Sequence, residues 1–170
     1  YTPSQAVWEG VTNGWNSGVK KLNMPGQKPF EIMIDLLFFK SHPLAGDKSA
    51  LIIADNGRGV VDWQQFLAIG PDDFVTHGIT DLKRIGRFAF FAAMKNPRTG
   101  YKVAFATSAT GPISIISMIP AKLRELEIPE PEVVPRDDVR LTGFNTAGTF
   151  AAVVLPDIVD SLQNVATLEE

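Results

Sequence analysis

Apolar residues at Val7, Trp8, Val11, Trp15, Val19 and Leu22 recur at helical spacing, and Thr2-Pro3-Ser4 stands just before them. The spacing predicts a helix over about 4–22, with Ser4 as N-cap and the Trp8, Val11, Trp15, Val19 stripe as its apolar face. Met24-Pro25-Gly26 ends it, residues 30–39 read as a strand, and a polar turn over 41–47 leads into a short strand of buried type at 49–55. The two strands predict a hairpin. Past Gly57-Arg58-Gly59 a short helix is expected near 62–69, then a loop or lid over about 70–84, where Gly and Pro break any period. Residues 85–96 are small and apolar enough for a buried helix, and 101–107 and 113–119 are strand candidates. Pro120, Pro129, Pro131 and Pro135 with interspersed Glu make 120–138 a connector without core-forming pattern. Strands near 139–142 and 149–155 and a helix from Asp157 close the chain. This order predicts an α/β fold, a two-layer sandwich with a mostly antiparallel sheet.

Composition narrows the chemistry. The chain has 170 residues, 45% hydrophobic and 21% charged, the make-up of one globular domain with a core. Its longest apolar run, Phe88 to Met94, falls far short of the ~20 residues a membrane span needs. Nineteen acidic against sixteen basic residues give a net charge of −3, without the basic excess of a nucleic-acid binder. Cysteine is absent, which excludes disulfides, a thiolate nucleophile and cysteine-ligated metal. His42 and His77 are the two histidines, too few for a His-rich metal site. No basic segment followed by an apolar one opens the chain, so an intracellular location is expected. Chemistry must rest on carboxylates, amides, hydroxyls, Lys, Arg and backbone groups, and fourteen glycines favour backbone contact with a ligand.

Four features fit that description. Glu9, Asn13 and Asn16 project from one side of the first helix, so Glu9 suits a general base and Asn13 a ligand of a hard cation; a solvated face has the same spacing. Gly10, Gly14 and Gly18 recur on the same helix, each costing about 1 kcal/mol against Ala, so something must approach that ridge closely. Asp55 ends an apolar strand and enters the turn Asn56-Gly57-Arg58-Gly59, where the acid can accept from an exocyclic amine while the glycines let a ring lie on the backbone; a plain Asn-Gly turn reads the same way. Ile85-Gly86-Arg87-Phe88 opens an expected helix, a setting that favours phosphate. Thr146-Ala147-Gly148-Thr149, before the last strand, reads by itself as a turn.

In this order the features resemble the GHKL ATPases: gyrase B subunits, heat-shock chaperones, histidine kinases, MutL proteins and microrchidia ATPases. The resemblance runs from Ala6 to Pro156, is most specific at Asp55–Gly59, and lies nearer the chaperone, MutL and microrchidia branches. It implies a Bergerat-type ATP-binding fold, with a mixed, mostly antiparallel sheet and helices on one face. It further implies that Glu9 deprotonates the attacking water, Asn13 holds Mg2+ and Asp55 accepts the adenine amine. Gly59 would lie beside the base and Gly57 would belong to the same nucleotide-binding turn, with Gly86 and Arg87 at the phosphates and Thr149 in the adenine-binding network. The implied function is ATP binding and Mg2+-dependent hydrolysis, coupled to conformational change or assembly with a second copy or a protein partner. Ala89 and Phe91 stand where the family's lid motif repeats glycine, so the alternative is a nucleotide-gated interaction module without turnover. The whole of 1–170 is then one nucleotide-binding domain, cut from a longer chain.

Overall fold

A computed structural model describes residues 1–61, 86–125, 127 and 129–166. The expected helix at 62–69 and lid at 70–84 lie outside the described residues. Helix α1 (Pro3–Leu22) begins earlier than its apolar pattern suggests: Thr2, not Ser4, is the N-cap. The Thr2 hydroxyl accepts the Gln5 N–H and the Gln5 side chain accepts the Thr2 N–H, a reciprocal capping box, with Pro3 fixing the first turn.

The buried face of α1 is not the tryptophan stripe. Trp8 is 73% and Trp15 56% exposed, whereas Ala6, Gly10, Gly14 and Gly18 are buried. A Cβ built on Gly10 would lie 2.6 Å from Ile53 Cδ1, and one on Gly18 would lie 2.7 Å from Ile32 Cγ2. The glycine ridge therefore lets the helix backbone sit on the sheet at a distance that side chains would forbid. The ridge answers the expectation of close approach; the stripe corrects the expectation of burial.

Six strands follow: β1 (Ile34–His42), β2 (Lys48–Asp55), β3 (Tyr101–Ala106), β4 (Ile113–Met118), β5 (Glu132–Val134) and β6 (Phe150–Pro156). They form one sheet in the order β1-β2-β6-β3-β4-β5, and every pair is antiparallel. Short helices α2 (Pro120–Arg124) and α3 (Asp160–Ala166) complete the regular elements. Ala6, Phe90, Ala93, Leu123 and Leu162 from the helical segments join Leu51, Ile53, Val103, Phe105, Ile116 and Leu155 on one sheet face. This is the expected two-layer α/β sandwich. Leu44, Ala45 and Leu141, from two 3-10 turns, and Phe144 from a loop cover the other face over Ile52, Ala54, Ala104, Ala152 and Val154. Among the described residues no helix is long and apolar enough to cross a membrane.

Several boundaries move for identifiable reasons. The first strand pairs from Ile34, opposite Asp55, because the Asn56 side chain takes the backbone groups just before it: Oδ1 accepts the Met33 N–H and Nδ2 donates to Glu31 O. Residues 86–93 form a 3-10 segment (Gly86–Ala93), not an α-helix. Threefold winding eclipses positions i and i+3, and the Phe88 and Phe91 rings stand 6.3 Å apart on that line. The connector carries more structure than its prolines suggest, since α2 buries Leu123 and β5 adds Val134 to the sheet edge. The expected strand near 139–142 is a 3-10 turn (Val139–Leu141): Asp138 caps it at the Arg140 N–H, and the Arg140 guanidinium bridges Asp138 and Glu132. The last helix starts at Asp160, because Asp157 has φ of 50° and Ile158 bridges to Met94.

Candidate functional site

Asp55 is the last residue of β2, paired on one side with Ile34 and on the other with Ala151. Helix α1 covers it because position 14 is glycine: a Cβ there would stand 3.0 Å from the Asp55 Cβ. One turn on, the Ser17 hydroxyl hydrogen-bonds the Asp55 carboxylate and accepts the Arg58 N–H at 3.1 Å. Asp55 Oδ1 also accepts the Gly57 N–H at 2.9 Å, which curls the chain back over the carboxylate. Burial pushes the Asp55 carboxyl up to about 7, against the opposing pull of the Gly57 N–H, the Ser17 hydroxyl and the Lys21 charge. Lys21 donates to Asn56 O at 2.9 Å and lies 4.4 Å from the centre of the Phe30 ring; partial burial lowers its own ammonium, with the Asp55 charge opposing.

The turn after Asp55 is fixed on its far side too. The Thr149 hydroxyl donates to Gly57 O at 2.6 Å, bridging 92 positions of sequence. Gly59 has φ of 74°, and a Cβ on it would meet Ala106 O at 2.4 Å and Phe150 O at 3.2 Å. Four of the expected site residues, Asp55, Gly57, Gly59 and Thr149, thus converge where the ends of β2, β3 and β6 meet. Asn56, by contrast, spends its side chain on residues 31 and 33 and serves the scaffold.

Glu9 and Asn13 lie on α1 and bond each other, Asn13 Nδ2 donating to Glu9 Oε1 at 3.1 Å. With Ser17 they form an i, i+4, i+8 row, so the polar side of the helix runs directly to Asp55. Ser17, not Asn16, carries that row into the buried end. The bond uses the amide nitrogen of Asn13 and leaves its oxygen as a hard donor. Among the described residues there is no group of three or more His, Asp and Glu side chains fit to hold a metal by themselves. A divalent cation here would take the Asn13 oxygen together with ligand phosphate and water, the donor set that suits Mg2+.

Gly86 and Arg87 open the 3-10 segment, whose Phe90 and Ala93 share an apolar cluster with Ala6 of α1. Ala89 is buried, and the Phe91 ring packs 5.1 Å from that of Tyr101.

Three participants escape the sequence patterns. Ser17 was signalled only by its i+4 relation to Asn13. Lys21 looks like an ordinary complement to the helix dipole until its bond to Asn56 is seen. Arg136, just past β5, donates from Nε to Gly111 O at 2.8 Å, from one terminal nitrogen to Thr146 O and Gly148 O, and from the other to Ser108 O. No known family model matches the chain, and no curated protein matches it either.

Proposed function

We propose that this is a GHKL-like, Bergerat-type domain that binds an adenine nucleotide and hydrolyses ATP with Mg2+, using nucleotide state to drive conformational change or assembly inside the cell. The observation that carries the reading is the partly buried Asp55 carboxylate, held by Ser17 and Gly57 beside a turn that Thr149 closes. An acceptor of this kind at a strand end suits an exocyclic amine. Gly57 and Gly59 shape the turn that presents it, since a Cβ on the first would meet the Ser17 side chain and one on the second the Ala106 and Phe150 carbonyls. Gly86 and Arg87 would serve the phosphates.

Mg2+, when bound, would neutralise phosphate charge and orient the leaving group. Asn13 would supply its amide oxygen to that ion. Glu9, held by the Asn13 amide, would accept the proton of the attacking water as the new P–O bond forms and ADP departs. Ala89 and Phe91, in place of glycines, favour a second reading, a nucleotide-gated interaction module without turnover. Phosphate release separates the two. Under ATP hydrolysis, Glu9→Ala binds ATP and abolishes release that wild type shows; binding by wild type with no release establishes the second reading.

A further inference from the structure

We propose that Arg136 is a positioning residue that sets the base-recognition end of the site by fixing the Thr146–Gly148 backbone, and with it the Thr149 hydroxyl. The inference rests on the nucleotide reading above for its ligand, but its structural part stands apart from it. A guanidinium offers five N–H donors in a rigid plane. Arg136 spends them on four main-chain carbonyls, Ser108, Gly111, Thr146 and Gly148, and among the described residues it has no carboxylate partner. Those carbonyls belong to two separate turns. Ser108 and Gly111 lie between β3 and β4, and Thr146 and Gly148 lie in the approach to β6.

The approach to β6 has little else to hold it. Asn145 is exposed, Ala147 is exposed, and a Cβ on Gly148 would meet nothing within 4 Å. Its internal support is the Ala147 N–H bond to Asn145 Oδ1. Gly148 adopts φ of 69°, a conformation glycine tolerates without enforcing. Polar bonds from Arg136 therefore select the backbone path that delivers Thr149 to Gly57 O. Lysine at this position keeps the charge but offers one compact ammonium, which cannot span four carbonyls on two turns.

The test is a double-mutant cycle on the full chain, with Arg136→Lys, Thr149→Val and the pair, titrated with ADP and with GDP. Urea unfolding verifies that each variant folds, and Arg136→Gln replaces the lysine variant if that one does not. Arg136→Lys is expected to weaken ADP by about tenfold, the scale of one lost charge-assisted bond, and to narrow the preference for ADP over GDP. Adding Thr149→Val should then weaken ADP by less than about twofold further, since contacting sites couple. Additive losses, or unchanged ADP affinity in Arg136→Lys, overturn the proposal. Hydrogen exchange distinguishes its failure from that of the nucleotide reading. If wild type binds no nucleotide, the nucleotide reading falls alone, and faster exchange of the 147–149 amides in Arg136→Lys, with β2 amides unchanged, still supports the positioning role. Unchanged 147–149 exchange refutes it.

Discussion

On the proposed nucleotide reading, the Asp55 carboxyl should make nucleotide affinity a function of pH. Burial holds it at about 7 in the free domain, far above the 3.8 of an exposed aspartate. An adenine amine donates best to the ionised form, so binding should draw the group toward ionisation and release a proton. At pH 5 about 1% of the carboxyl is ionised, so affinity should fall by up to ~100-fold between pH 8 and 5, or about 2.7 kcal/mol. Titration calorimetry of ADP in buffers of different ionisation enthalpy reads the proton count directly, with ~0.5 proton released at pH 7. The same titration on Asp55→Asn supplies the slope due to the nucleotide's own phosphates, which is subtracted. A wild-type affinity whose pH slope equals that of Asp55→Asn refutes the reasoning.

The same shift has a stability consequence of opposite appearance. Because the folded state holds a proton that the unfolded chain has released, the contribution is complete below about pH 4 and is lost as pH rises through 7. The separation corresponds to at most on the order of 4 kcal/mol, and Asp55→Asn should flatten that fall in the urea midpoint across the window. Trp8→Lys should change unfolding free energy by no more than about 0.5 kcal/mol, since the side chain is 73% exposed; a loss above 2 would return the tryptophan stripe to the core. Gly59→Ala should cost several kcal/mol, roughly the scale of backbone strain plus a clash with Ala106 O, and equal urea midpoints would contradict it. His42 is fully buried, its Nδ1 accepting the Leu44 N–H and its Nε2 proton bonding Thr142 O at 2.8 Å, so His42→Ala should cost about 2–4 kcal/mol in the same assay.

Local chemistry was legible where one residue type had one use. Asp55 at a strand end, glycines at 57 and 59 and the strands around 52, 104, 115 and 153 could be read from short apolar runs and turn residues alone. The direction of α1 could not. Its hydropathy points to Trp8 and Trp15, but the sheet selects Gly10, Gly14 and Gly18, because close packing on Ile53, Ile34 and Ile32 needs the absence of side chains, which hydropathy scores poorly. Residues 132–134 escaped notice because a three-residue edge strand flanked by prolines carries too little period, and Val139 looked like a strand because its partner in curling the chain, Arg140, is polar. Arg136 was silent for another reason: its partners are backbone carbonyls brought near by topology, and no local spacing encodes that, just as none links Ser17 to the Asp55 carboxylate and the Arg58 N–H.

If Asp55 and its turn recognise an adenine base, as proposed, calorimetry of ADP with the full chain at pH 8 should separate wild type from Asp55→Ala. Wild type should bind saturably and the variant at least tenfold more weakly, the scale of a bond to a charged acceptor. No binding by wild type, or undiminished binding by Asp55→Ala, would contradict that recognition.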